Sequence, residues 1–259
     1  MRAAAALLLG ATLATAAATQ PAGSLAADRA FARWVLEAAP PGAVLLADGP
    51  ADAPVLLQAQ GEGLRPDVAV VPFPSLAAPE AARALAERHG LPLPDSVETF
   101  APRLGDRGST DTPEGRLYTL ADRVLDHWLS GALDRPLVAA VTLNPAVLGT
   151  KTDVADRGAT LVPAPMSAFD ASAAWASMAR LDGADFAAPA DLDPGRLDPG
   201  GIVLFQMLQT AVTFAQSGDP EAAERVYVAA ATFARTSGRP GDPLVEAARF
   251  WIDDALADR

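Results

Sequence analysis

Asp48 and Asp52 stand four residues apart, directly after an apolar run that ends at Ala47 and just ahead of Pro54. Two carboxylates on one turn can coordinate a divalent cation or accept hydrogen bonds from sugar hydroxyls. The same residues also meet ordinary local needs. Asp48 can cap a turn and Asp52 can sit at the positive end of a following helix, contributions of about 0.5–1 kcal/mol each. Both readings stand at the level of sequence. In an open parallel sheet, ligands bind beyond the carboxyl ends of the strands. That rule selects Asp48 and Gly49 after a first strand, Phe73 and Ser75 after a second, Thr142 and Asn144 after a third, and Pro163 to Met166 after a fourth.

Other catalytic patterns are missing. The two histidines, His89 and His127, have no neighbouring metal-ligand pattern and the chain has no cysteine. His89 falls near a predicted helix C-terminus, where a partly positive imidazole is favoured, and His127 lies beside Trp128 on a helix. No nucleophile elbow, phosphate-binding loop or dinucleotide fingerprint is present. Gly61-Glu62-Gly63 precedes a strand, so it cannot cradle phosphate at a helix N-terminus. The sequence therefore supplies no catalytic set, no metal centre, no cofactor site and no nucleotide site.

The elements that must hold these residues follow from pattern and punctuation. Leu25 to Ala38 places Phe31, Trp34, Val35 and Ala38 at helical spacing, with Trp34 expected in the core. Ala43 to Ala47 and Val68 to Val71 are short, wholly apolar strands, and between them Pro54 opens a helix that Gly61 and Gly63 close. Two such strands joined by a helix imply a parallel pair covered on both faces. Ala78 to His89 reads as a helix ended by Gly90, and Val97 to Phe100 as a short edge strand. Thr112-Pro113-Glu114 reads as a helix start, with Leu117, Leu120, Val124, Leu125, Trp128 and Leu129 on one face, running to Gly131. Leu137 to Leu143 and Thr160 to Val162 complete the strands. The order predicts an α/β fold: a Rossmann-like three-layer domain over residues 19–181 with a mostly parallel short sheet.

Residues 182–201 are rich in Asp, Pro and Gly and read as a linker or a surface-wrapping loop. Residues 202–259 then form a helical tail, with helices at Ile202 to Ser217, Asp219 to Ser237 and Pro243 to Leu256. The middle one, with Ala222, Ala223, Tyr227, Ala230, Ala231 and Phe233, resembles a tetratricopeptide unit. One such hairpin is too little for a free solenoid, so the tail is expected to dock on the α/β domain.

A family resemblance rests on some of these residues. Gly42-Ala-Val-Leu-Leu, Pro54, and above all Glu62-Gly63-Leu64-Arg65-Pro66-Asp67-Val68 resemble the soluble C-terminal region of a family of multispanning envelope proteins. That family carries a domain of unknown function grouped with O-mannosyltransferase-like glycosyltransferases. Arg135 to Thr142 and Arg157 to Pro163 are similar to its second strand pair. The resemblance implies an association with envelope glycans, but the membrane-spanning part, where sugar transfer would be expected, has no counterpart here. The family's turn usually carries Gly-Asp-Asn-Asp before the proline, and only Asp48 and Asp52 stand in the corresponding place. Arg65 and Asp67 match well, but they precede the second strand and so lie at the sheet edge opposite Asp48, where a structural turn is expected.

Residues 1–18 contain an apolar run, Ala3 to Ala18, behind Arg2, with small residues suited to a signal peptidase; this reads as a signal peptide rather than a spanning helix, which needs roughly 20 apolar residues. The expected location is periplasmic or secreted, with no membrane span after cleavage. The formal charge of −12 argues against nucleic acid and anionic membrane surfaces as partners. The reading that follows is an exported, non-catalytic binding or scaffolding protein accessory to envelope glycan or glycosylation work. Its expected partner is an envelope protein or a saccharide. Two alternatives remain open: a periplasmic carbohydrate-active hydrolase or transferase using Asp48 and Asp52 with Asn144 orienting substrate, and a structural subunit of an envelope assembly.

Overall fold

The computed structural model describes residues 22–49, 52–104, 117–144, 146–149, 151–164, 168–187 and 197–257. The predicted signal peptide and the helix start at Thr112-Pro113-Glu114 lie outside them. The first helix, α1 (Ala22–Ala38), buries Phe31, Trp34, Val35 and Leu36, while Ala38 is exposed. The strands β1 (Val44–Ala47) and β2 (Ala69–Pro72) run parallel, with Leu46 opposite Val71, and α2 (Ala53–Gly61) connects them. A 3-10 turn (Phe73–Ala77) leads into α3 (Pro79–His89), which Gly90 ends in the left-handed conformation at φ 65°.

Downstream the structure departs from the local reading. Residues 95–99 form turns instead of an edge strand. A two-stranded antiparallel ribbon pairs β3 (Arg103–Leu104) with β4 (Leu117–Tyr118), so Leu117 belongs to a strand and is exposed. The helix α4 (Leu120–His127) starts at Thr119, where the Thr119 hydroxyl accepts from the Asp122 N–H and the Asp122 carboxylate accepts from the Thr119 N–H. That reciprocal cap satisfies two orphan donors and sets the helix start. A π turn (Trp128–Ala132) follows, and the Trp128 indole N–H donates to the Pro92 carbonyl at 2.7 Å.

The remaining strands are β5 (Leu137–Ala140), β6 (Asp153–Asp156), β7 (Thr160–Ala164) and β8 (Ala168–Phe169), with a four-residue helix α5 (Ala146–Gly149) before β6. The six-stranded sheet has the order β2-β1-β5-β7-β6-β8. It is mostly parallel: β7 alone runs against its neighbours β5 and β6. The reversal comes from a tight turn at Arg157-Gly158-Ala159, in which Gly158 has φ 84° and Asp156 accepts from the Gly158 N–H at 2.8 Å. A hairpin that short can join only antiparallel strands. Consequently the end of β7, Pro163 and Ala164, lies at the opposite sheet edge from the ends of β1, β2 and β5. Of the candidates Pro163 to Met166, Pro163 and Ala164 are thereby removed from the strand-end site, and Pro165 and Met166 lie outside the described residues.

Alternation along the strands divides the core. Leu45, Ala47, Val70, Val138 and Ala140 join α1, α2 and the C-terminal helices, whereas Val44, Leu46, Ala69, Val71 and Ala139 join α3 and α4. Helices thus cover both faces, as a parallel sheet requires. After β8 come α6 (Ala171–Met178), capped by Asp170, and a 3-10 turn (Gly183–Phe186) that sinks Phe186 into the core at 1 % exposure. The stretch read as linker therefore contributes a core residue. The helix α7 (Pro199–Ser217) begins earlier than Ile202, because Asp198 caps it by accepting from the Gly201 N–H at 3.1 Å. It is followed by α8 (Pro220–Thr236) and α9 (Pro243–Ala257). Val203, Leu204, Met207, Leu208, Phe233 and Ala248 share one apolar cluster with β1 and α1. No helix among the described residues is long and apolar enough to cross a membrane.

At the amino-terminal sheet edge two arginines gather backbone carbonyls. The Arg65 guanidinium donates to Leu36 O at 2.9 Å, Ala39 O at 3.0 Å and Pro40 O at 3.3 Å, and forks onto Asp67 with two contacts of 2.9 Å. Asp67 in turn accepts from the Gly42 N–H at 2.9 Å. Arg135 donates to Gly42 O at 2.6 Å and His89 O at 3.0 Å. Glu62 pairs with Arg29 at 3.1 Å, Gly63 turns the chain at φ 94°, and Pro66 is exposed. In this clamp His89 is pushed toward the neutral form, first by burial and then by the charges of Arg88 and Arg135. Those effects outweigh the helix C-terminus, which favours the cation.

The single lysine of the chain is also structural. The Lys151 ammonium, 4 % exposed, pairs with Asp126 at 2.9 Å and lies 4.6 Å from the centre of the Tyr118 ring. The Tyr118 hydroxyl donates to Asp126, and burial together with that carboxylate holds the phenol protonated.

Candidate functional site

The residues at the carboxyl ends of β1 and β5 meet. Asp52 is fully buried and precedes α2, yet its side chain does not cap that helix. Its Oδ1 accepts from the Gly49 N–H at 3.1 Å, and its Oδ2 accepts from the Thr142 hydroxyl. Asp52 thus ties the turn after β1 to the end of β5. Gly49 is required in that turn: its φ is 108°, and a Cβ there would stand 3.1 Å from Cγ of Pro74. Asp48 is half-buried beside this pair. Burial, and secondarily the Asp52 charge, raises the pKa of its carboxyl.

An open cleft of about 490 Å³ lies over these residues. Asp48, Val141 and Thr142 form one wall, and the start of α7 forms the other with Leu197, Asp198, Gly201, Ile202, Phe205 and Gln206. Asp198 is engaged twice, as the cap of α7 and as the ion-pair partner of Arg239. Phe205 is 51 % exposed, whereas Gln206 is 4 % exposed. The Gln206 amide hydrogen-bonds Asp156, whose carboxyl burial pushes up while this bond and the Gly158 N–H oppose it. Gln206 Oε1 is buried with no hydrogen-bond partner among the described residues. A buried acceptor left unpaired carries a penalty of about 1–3 kcal/mol.

Of the residues selected by sequence, Asp48, Gly49, Asp52 and Thr142 come together. The others do not. Phe73 packs on the α3 and α4 side of the sheet, because alternation turns it to the face opposite the cleft. Ser75 lies in the 3-10 turn and its carbonyl accepts from the Ala78 N–H. Asn144 is exposed beyond β5, its carbonyl taking the Val147 N–H at 2.9 Å ahead of α5. Gln206 and Phe205 escape a strand-end search because they belong to a distant helix. The available signal was a lone amide inside the apolar run Ile202-Val-Leu-Phe-Gln-Met-Leu.

Among the described residues no three His, Asp or Glu side chains converge to hold a metal ion. Acceptors prevail in the cleft, which suits a ligand rich in hydroxyl donors and opposes an anion. The chain matches no family model, and comparison with curated proteins and with solved structures finds no match either.

The two aspartates are expected to behave oppositely on substitution. Asp52→Ala strands the Gly49 N–H and the Thr142 hydroxyl and should lower stability by about 2 kcal/mol in urea denaturation. Asp48→Asn should lose none at neutral pH. With its folded pKa raised, Asp48 favours folding least once ionised, so its contribution falls as pH rises from the ordinary carboxylate range through the raised value. The stability of Asp48→Asn relative to the native chain should therefore improve between pH 4 and pH 7. A fall in that range would show that ionised Asp48 is stabilised instead.

Proposed function

We propose that this protein is an exported, non-catalytic saccharide-binding protein of the cell envelope, built on a Rossmann-like sheet with α7 and α8 as a tetratricopeptide-like hairpin. The observation that carries the reading is the cleft at the carboxyl ends of β1 and β5, where the half-buried Asp48 carboxylate and the exposed Phe205 ring share one space. A saccharide hydroxyl is a donor suited to that carboxylate, and the Phe205 ring offers the apolar face on which a pyranose stacks. The acidic balance of the chain favours a neutral sugar over a phosphorylated one. Export is supported by the predicted signal peptide, and the envelope setting by the family resemblance of Glu62 to Val68.

The non-catalytic part is supported by the state of the carboxylates. Glycoside hydrolysis needs two carboxyl groups flanking the scissile bond. Asp52 is fully buried with both oxygens engaged, and Asp198 is held by Arg239. Asp156, next to the cleft, is engaged by the Gln206 amide and the Gly158 N–H, so each described carboxyl around Asp48 already serves a structural bond.

Calorimetric titration of the purified protein with a panel of neutral mono- and disaccharides tests the proposal. At least one sugar should bind, and Asp48→Asn should weaken it at least tenfold with little change in Tm, whereas Gln206→Leu should weaken it and also lower Tm, because it takes the amide donor from the buried Asp156 carboxyl. A panel without a binder, or an affinity indifferent to both substitutions, would refute it.

A further inference from the structure

Resting on the saccharide reading, we propose that the ligand is a neutral amphiphile, whose sugar head occupies the Asp48–Gln206 cleft and whose alkyl tail lies in the groove between α7 and α9. Phe205 lines both spaces. On its far side the groove, of about 380 Å³, is walled by Leu208, Val212, Leu244 and Trp251. Leu244 and Trp251 are 42 % and 55 % exposed, and the Phe250 ring packs edge-on against Trp251 at 5.6 Å. The polar members, Gln209, Thr213 and Gln216, carry no charge. In a chain of formal charge −12, an uncharged groove that shares Phe205 with an acceptor-rich cleft sets two distinct chemistries side by side along α7.

A ligand spanning both would match each end: hydroxyl donors against Asp48, and methylenes against the aliphatic walls. The carboxylates of Asp48 and Asp198 at the head end select against a phosphate or carboxylate head. The shared Phe205 wall favours one ligand over a separate protein segment, since a peptide helix seated between α7 and α9 would leave the polar cleft unused. Full burial of one methylene strengthens binding roughly fourfold.

The probes are methyl and octyl glucoside, galactoside and mannoside, with 1-octanol as a tail without a head, all below micellar concentrations. For the sugar that binds, the octyl form should bind at least tenfold tighter than the methyl form. Leu244→Glu, an exposed first-turn position of α9 where an acidic residue is tolerated, should abolish that gain and leave methyl glycoside affinity unchanged. Asp48→Asn should weaken both forms. Equal affinity for octyl and methyl glycosides, or a gain that survives Leu244→Glu, overturns the tail assignment and leaves the saccharide reading intact. Octanol bound as tightly as every octyl glycoside, with no methyl glycoside bound, overturns the saccharide reading as well.

Discussion

Arg65→Ala is expected to lower the stability of this protein by about 3 kcal/mol, near the upper range for a single substitution. The guanidinium serves three carbonyls at the end of α1, Leu36, Ala39 and Pro40, and holds Asp67 in a fork. Hydrogen bonds from a charged donor contribute about 1.5–3 kcal/mol each when protected, and partial exposure of this side chain, 23 %, reduces the sum. Arg65 also sits at φ 46°, a conformation that costs a residue with a Cβ about 1 kcal/mol. Arg65→Gly should therefore be less harmful than Arg65→Ala by about that amount, and Arg65→Lys should recover less than half of the loss, since an ammonium cannot reproduce the planar fork.

Urea denaturation with an unchanged m-value measures each variant. A loss below about 1 kcal/mol in Arg65→Ala would mean that the clamp is incidental, because a solvent-exposed ion pair alone can contribute that much. Acid adds a second readout. The Arg65 fork, then the Gly42 N–H, holds the Asp67 carboxyl well below the usual carboxylate range. A depressed folded pKa gives stability that is complete above the unfolded pKa, near 3.9, and that is lost as pH falls toward the folded value. The stability difference between the native chain and Asp67→Asn should accordingly shrink below about pH 4.

A chain ending at Asp198 is expected to lose cooperative folding altogether. The three C-terminal helices place Val203, Leu204, Met207, Leu208 and Phe233 in the cluster that also holds Leu45, Val70, Val138 and Phe31. Burial of such side chains contributes about 1.5–3 kcal/mol each. Five of them sum to roughly 10 kcal/mol, comparable with the whole stability of an ordinary domain. The shortened chain should show no sigmoidal thermal transition by circular dichroism and should bind a hydrophobic dye. A cooperative melt within about 10 °C of the full chain would identify the helices as a separable module. Phe233→Ala keeps the question answerable at smaller scale. Its ring packs 5.5 Å from that of Phe186, and its removal should cost about 3–4 kcal/mol.

Local chemistry made the first half of the fold legible. The apolar run of β1, the proline that opens α2, the glycines that end it and the run of β2 each carry their own signal within a few residues. The same holds for α3 and its Gly90 stop. Asp48 and Asp52 were visible as site candidates for the same reason, since a strand end and a turn are local features. The start of α4 was not legible in this way: it is set by Thr119 with the reciprocal partner Asp122, directly after the strand residues Leu117 and Tyr118.

What the sequence by itself determined about this protein is thus its α/β class, the first parallel strand pair and the carboxylates at its end. Only the tertiary structure decided the direction of β7, because Thr160–Ala164 has the same apolar pattern whichever way it runs, and β6, with an aspartate at each end, gives no strand signal of its own. It also decided which strand-end residues share a space, turning Phe73 to the far face and leaving Asn144 outside. Above all it brought Gln206 and Phe205 against Asp48 and Thr142. Their proximity depends on α7 packing across the core, and contacts between residues so distant in sequence arise from the burial of whole helix faces, which no local spacing encodes.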